Sequence, residues 1–205
     1  MAFPKTKFVY TIENYLNIDR SEDERYEYLD GEIYLMAGES DAHGIICFNL
    51  AGLLYEQLKG SKCQGRVKDT KIRSGSLPPK PRSTKGMFSY PDVVVICGEP
   101  QYLDEHRDVI LNPSVIFEVL SESTEQFDRG EKFLRYGNWN PTLTDYILVS
   151  QNKPLVEHYI RQADGGWTLY RYSGLAVDFT VETINCRVKL ADIFDRVEFP
   201  PEIEE

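Results

Sequence analysis

Two short apolar runs, each carrying a carboxylate, constrain this chain more than any other feature. Asp92-Val93-Val94-Val95-Ile96-Cys97 and Ser114-Val115-Ile116-Phe117-Glu118-Val119-Leu120 have the length of strands and are continuously apolar rather than alternating. Such runs belong to strands whose two faces are both covered. An ionised carboxylate at the edge of such a strand is costly unless something compensates it. A hard cation compensates two at once, because magnesium takes one or two carboxylates together with waters and phosphate oxygens. Capping of strand ends, or pairing with arginine or lysine, would satisfy Asp92 and Glu118 equally, and their spacing does not choose between these readings.

The flanking segments supply helices and further strands. Thr11 is placed to cap a short helix running through Leu16. Residues 25–29 and 32–36 flank Asp30-Gly31, a dipeptide suited to a tight type I′ hairpin turn. Ile46, Leu50, Leu53, Leu54 and Leu58 form one stripe of an amphipathic helix over residues 41–59. Residues 66–73 read as a strand. Residues 74–89 read as a loop, since Pro78, Pro79, Pro81, Gly75 and Gly86 suit neither ladder nor helix. A helix over 128–138, a strand over 145–149, a hairpin of 156–161 with 167–172 around Asp164-Gly165-Gly166, and a short helix at 190–194 complete the pattern. This order predicts the α/β class, with a mixed sheet flanked by helices. It predicts one domain over residues 1–205, with a C-terminal hairpin extension from about residue 151.

Composition removes several functions. The net charge of −10 argues against a protein that coats nucleic acid by bulk attraction, which needs cationic surface to neutralise phosphates. It leaves room for a nuclease, since a metal site itself gathers acids. No run reaches the length of a membrane span, and residues 1–5 lack a signal-peptide layout, so a cytoplasmic protein is expected. The four cysteines, Cys47, Cys63, Cys97 and Cys186, form no CxxC pair, so reduced thiols are expected and a zinc site is not. Gly-rich phosphate loops, HExxH and Gly-x-Ser-x-Gly are absent, and no organic cofactor is expected.

Tyr90-Pro91-Asp92-Val93-Val94, Phe117-Glu118-Val119-Leu120-Ser121-Glu122-Ser123-Thr124 and Asp128-Arg129-Gly130-Glu131-Lys132-Phe133 with Tyr136 follow one another in order. Arg25-Tyr26-Glu27, Asp30-Gly31-Glu32, His43 and Leu190-Ala191-Asp192-Ile193 support the same pattern. Together they resemble the Uma2-like bacterial family of restriction-type endonucleases, in the PD-(D/E)XK nuclease superfamily. The resemblance implies a restriction endonuclease-like fold and metal-assisted hydrolysis of DNA phosphodiester bonds. It implies that Asp92, Glu118 and the backbone carbonyl of Val119 hold Mg²⁺ or Mn²⁺.

One position departs from the superfamily pattern, which sets a lysine two residues after the second acid, where this chain has Leu120. Lys132 is the nearest substitute. It matches the family's Asp-x-x-x-Lys-x-x-x-Tyr pattern, and Asp128, Lys132 and Tyr136 share one helix face. The resemblance implies that Lys132 orients the attacking water, with Glu32 a candidate further acid and His43 a candidate phosphate contact or proton carrier. DNA contact is expected from the cationic stretch of Lys68, Lys71, Arg73, Lys80, Arg82 and Lys85, with Arg129 and Arg135 weaker. A homodimer is expected because two cuts in a duplex suit a two-fold pair, with Tyr159, Trp167, Tyr170 and Tyr172 offering a possible interface. A nuclease-like fold without turnover, acting as a DNA-binding or protein-interaction module, is the alternative reading.

Overall fold

The computed structural model describes residues 8–36 and 38–201. The two acid-bearing runs become the centre of a six-stranded sheet. They form β6 (Val93–Cys97) and β8 (Val115–Leu120), in the strand order β11-β10-β9-β8-β6-β3. β3 (Cys63–Val67) and β8 run antiparallel to β6, and β9 (Asp145–Ser150) is parallel to β8. The C-terminal hairpin of β10 (Leu155–Arg161) and β11 (Trp167–Ser173) continues this sheet outward from β9.

A second, five-stranded sheet has the order β2-β1-β5-β4-β7. Its hairpin of β1 (Tyr26–Leu29) and β2 (Glu32–Leu35) turns at Asp30 and Gly31, both at positive φ (47° and 102°), as the Asp-Gly pair predicts. The stretch expected as one strand over 66–73 is two. β3 ends at Val67 and β4 (Lys71–Ser74) begins after a turn in which Lys68 has a φ of 48°. The break lets the chain leave the first sheet for the second. The Pro-rich loop is shorter than expected, because Met87–Ser89 form β5, a buried strand between β1 and β4. β7 (Val109–Ile110) closes this sheet, and β12 (Asp178–Val181) pairs with β13 (Cys186–Lys189) in a separate ribbon.

Alternate residues of the central strands serve different layers. Val93, Val95, Phe117 and Val119 face α2 (Asp41–Leu58) and α5 (Leu190–Ile193), meeting Ile46, Cys47, Leu50, Leu54 and Ile193. Val94, Ile96, Ile116 and Leu120 face the other way, against Ile72, Tyr136, Tyr146 and Leu148. α1 (Ile12–Ser21), capped by Thr11 as its sequence predicts, packs Ile12, Tyr15 and Leu16 on Tyr28 and Phe88 of the second sheet.

The helix after β8 starts earlier than its periodicity suggests and is not uniform. α3 (Glu125–Phe127) passes through a π turn (Asp128–Lys132) into α4 (Phe133–Trp139). Single π turns concentrate at functional sites. The cysteine expectation needs correction. Cys63 and Cys97 are not thiols but a disulfide, because the β3–β6 register sets them opposite each other with Cα atoms 4.0 Å apart. A sequence separation of 34 residues hides that pairing. Cys47 and Cys186 are free and buried. Among the described residues no helix is long and apolar enough to cross a membrane.

Candidate active site

The register that pairs Val93 with Phe117 sets the preceding residue, Asp92, opposite Glu118. Asp92 Oδ1 lies 2.8 Å from His43 Nε2, and its Oδ2 accepts a 2.7 Å hydrogen bond from the Val119 N–H. In an extended strand the N–H and C=O of one residue point to the same side. The Val119 carbonyl therefore opens towards Asp92 as well. Glu118, 3% exposed, points to the face that carries α4. Its Oε1 sits 2.9 Å from Lys132 Nζ and accepts a longer hydrogen bond (3.4 Å) from Tyr136.

Lys132 Nζ lies within 3.2 Å of Asp128 Oδ1 and 3.6 Å of Glu27 Oε1 as well as reaching Glu118. Asp128, Lys132 and Tyr136 come to one place because they share the helix face the sequence assigned them. The Tyr136 hydroxyl is fixed in turn by Ser89 Oγ at 2.8 Å, and Glu27 accepts the Tyr90 N–H at 3.0 Å. Leu120 explains why the lysine comes from the helix. Two residues after Glu118, it faces the same side and is 4% exposed in the layer of Ile116, Tyr146 and Leu148. A strand lysine there would put an ammonium into that layer.

Negative charge exceeds positive charge at this spot. Glu118, Asp128 and Glu27 surround one ammonium, and Asp92, with His43 beside it, lies opposite Glu118 across the strand pair. Burial pushes the Glu118 carboxyl well above the usual carboxylate range, and the nearby Asp128 and Asp92 push the same way against Lys132. Burial acts to lower Lys132, yet Glu118, Glu27 and Asp128 outweigh it and hold the ammonium well above its ordinary range. Asp92 is held below its ordinary value: burial opposes this, but the His43 contact, the Val119 N–H and Lys132 prevail. A carboxylate-rich pocket with an inward carbonyl and too little cationic charge fits a hard divalent ion.

The sequence-predicted residues separate into groups. Asp92, Glu118, Lys132 and His43 converge. Glu32 of β2 accepts a hydrogen bond from Tyr34 at 2.8 Å, whereas Glu27 of β1 is the acid this hairpin sends to Lys132. Glu27 stands in the family pattern as Arg25-Tyr26-Glu27 but was given no role there, and Ser89 escaped sequence reasoning. Lys80, Arg82 and Lys85 are exposed on the loop, with Lys85 Nζ 3.7 Å from Asp30.

Arg73 and Lys71 do not lie on the surface. Lys71 is buried against Asp19 and Asp108. Arg73 is 2% exposed, with its guanidinium over the Phe88 ring at 4.7 Å. Burial pulls the Arg73 pKa down to about 10. Gly86, at a φ of 129°, lets the loop close on it, since a Cβ there would come within 2.7 Å of Arg73 Nη1. Both residues were expected at a DNA surface, and the strand pattern of β4 buries them instead. Arg129 pairs with Glu125 and Glu157, and Arg135 with Asp30 and Glu131. Of the hairpin aromatics, Tyr159 and Trp167 pack on Phe133 and Tyr172 stacks on Phe179, while Tyr170 stays exposed.

The model of the Uma2 family, described as "Putative restriction endonuclease", matches residues 12–190. The chain belongs to the Uma2 family. Two uncharacterized proteins of Synechocystis sp. are similar over most of the chain. One, slr1290, is 36% identical over 160 residues, 78% of each chain. The other, sll1609, is 33% identical over 174 residues, 85% of this chain and 93% of that one. The solved structure of a protein from Anabaena variabilis, described as a "putative nuclease", superposes with a TM-score of 0.70. It covers 90% of this chain and 97% of that one at 14% identity. The fold is the restriction endonuclease-like one expected of the family, a mixed α/β arrangement of sheets flanked by helices.

Proposed function

We propose that this Uma2-family protein is a divalent-metal-dependent endonuclease that hydrolyses phosphodiester bonds in DNA. One observation carries the reading: three carboxylates from separate segments, Glu27, Glu118 and Asp128, gather around a single buried ammonium, and the strand register sets a fourth, Asp92, opposite Glu118. Asp92, Glu118 and the Val119 carbonyl would hold Mg²⁺ or Mn²⁺. Such an ion, when bound, lowers the pKa of a ligated water and stabilises charge on the scissile phosphate and leaving oxygen.

The chain's own residues do the rest. Lys132, pinned by Glu118 and Asp128, presents its ammonium where an attacking water must be oriented. Tyr136 and Ser89 hold Glu118 in place, and His43 fixes the direction of Asp92, as supporting residues commonly do for carboxylate ligands. Lys80, Arg82 and Lys85 are the exposed cations available to a DNA backbone, and Lys68, paired with Glu39, lies nearer the acids. A single domain acting as a homodimer suits cleavage of both strands, and light scattering on a sizing column reads its mass directly. The net charge of −10 and Leu120 favour the second reading, a binding module without turnover.

Plasmid and single-stranded DNA incubated with Mg²⁺ or Mn²⁺ decide between them. Cleavage by the wild type should be lost in Asp92→Asn and fall about 10²–10⁴-fold in Lys132→Met. Equal cleavage by Asp92→Asn would remove the hydrolase, and an inert wild type across metals and substrates would leave the module.

A further inference from the structure

Beside the acid pocket, on the α2 side of Asp92, lies a second group of ligand-type side chains. We propose that Glu39, His43 and Cys47, together with Asp92, form a binding site for a thiophilic divalent cation of the zinc type. His43 and Cys47 are four apart in α2 and so share one side of the helix, while Glu39 comes from the segment just before the N-cap Ser40 and lies against His43. One carboxylate oxygen of Glu39, one ring nitrogen of His43 and Cys47 Sγ lie within 4.8 Å of one another. Asp92 supplies the fourth donor. Its Oδ1 is 2.8 Å from His43 Nε2, and its carboxylate also interacts with the Cys47 thiol.

The donor set is that of zinc and not of magnesium. A thiolate and an imidazole select zinc-like ions, whereas magnesium wants oxygen donors in an octahedron. Tetrahedral zinc, with bonds of about 2.0–2.3 Å, needs donors roughly 3.5 Å apart. Side-chain rotation would have to draw the donors of Glu39, His43 and Cys47, now within 4.8 Å of one another, to that spacing. Access is graded: Glu39 is exposed, the His43 side chain is 14% exposed, and Cys47 is buried. An ion entering beside Glu39 would displace Lys68 from that carboxylate and the proton from the thiol, which a bound metal deprotonates outright. The sequence argues against zinc because its cysteines are unpaired; here the helix repeat brings a single cysteine to a histidine, and the segment before α2 and the residue before β6 add an acid each.

Asp92 is also the residue through which the two metal sets meet. A zinc-type ion drawing Asp92 towards His43 removes a ligand from the proposed nuclease centre, so zinc should inhibit cleavage. This consequence rests on the nuclease reading; the binding itself does not.

The test is titration of the full chain with Co²⁺, without added reductant, followed in the near-ultraviolet and visible. One Co²⁺ per chain should give a thiolate-to-metal charge-transfer band and tetrahedral visible bands, both erased by stoichiometric Zn²⁺. Cys47→Ser should abolish the charge-transfer band and weaken Zn²⁺ competition by at least about 10–100-fold. Cys186→Ser, the other free cysteine, on β13 and outside the proposed donor set, should leave both unchanged, with circular dichroism reporting the fold of each variant. No charge-transfer band in the wild type, or one that survives Cys47→Ser, overturns the site. If the wild type cleaves DNA and binds cobalt through Cys47 yet is not inhibited by zinc, the shared role of Asp92 falls while the nuclease reading stands.

Discussion

Replacing Lys132 with methionine tests the electrostatic balance directly. The lysine side chain is 5% exposed, and those of Glu118 and Asp128 are 4% exposed, so water screens little of their interaction. Methionine keeps much of the buried stem and removes the ammonium. Breaking a buried ion pair from one side costs about 3–5 kcal/mol, because the surviving charge stays desolvated and unpaired. For a chain of this size that is a fall of about 6–20 °C in Tm. The loss should depend on pH in a defined direction. Burial already holds the Glu118 pKa above its unfolded value, and removing Lys132 raises it further. The folded state then binds a proton that the unfolded state has released, so stability falls as pH rises through the folded pKa.

Thermal melts of Lys132→Met should therefore show a smaller deficit at pH 5 than at pH 8. Glu118→Gln introduced into that variant should recover part of the loss, with a coupling of about 0.5–3 kcal/mol. A variant melting within about 2 °C of wild type at pH 8, or purely additive effects of the two substitutions, would refute the balance described here.

Two further outcomes follow from the same structure. Asp30, Asp92 and Asp145 have pKa values below their ordinary range; for Asp145, hydrogen bonds from His158, Thr183 and Thr144 outweigh a burial effect in the other direction. The stability these three acids contribute should thus be complete above the unfolded carboxylate pKa of about 4 and decline as pH falls through the lower folded values, and urea midpoints in Asp145→Asn should show a shallower acid slope; an unchanged slope would exclude Asp145 from that effect. Reducing Cys63–Cys97, which closes a loop of 34 residues, should lower stability by about 3–4 kcal/mol, read as a lower urea midpoint, and an unshifted midpoint would count against the cross-strand link.

The sequence carried the centre of the molecule because its strongest signals are local. Continuous apolar runs define β6 and β8, Asp30-Gly31 defines the hairpin, and the four-residue spacing of Asp128, Lys132 and Tyr136 defines a helix face. Each depends on neighbours a few residues away. Contacts across long separations were hidden. Glu27 belongs to the family pattern, yet nothing near it names its partner, a lysine on a distant helix. Nothing near Cys63 points to Cys97, since that pairing exists only once the β3–β6 register does. The burial of Lys71 and Arg73 was misread because a cationic stretch resembles a solvated surface until Asp19, Asp108 and Phe88 are seen around it. Leu120 was read correctly as a departure, and its reason, a packed layer over the central strands, belongs to tertiary structure.

The π turn divides its helix into two phases. An α-helix advances about 100° per residue, and a wider turn shifts the rotational position of everything before it relative to everything after. Asp128 opens the turn and Lys132 closes it. Deleting one residue between them, such as Gly130, where a Cβ would meet nothing within 4 Å, would disturb no close packing at that point. It would nevertheless let the wide turn close to an ordinary one, setting Asp128 three residues from Lys132 instead of four and shortening the path from β8, so that the spacing on which their contact depends is lost. Length at this point is thus under tighter control than residue identity, and an insertion or deletion here should be far more damaging than most substitutions.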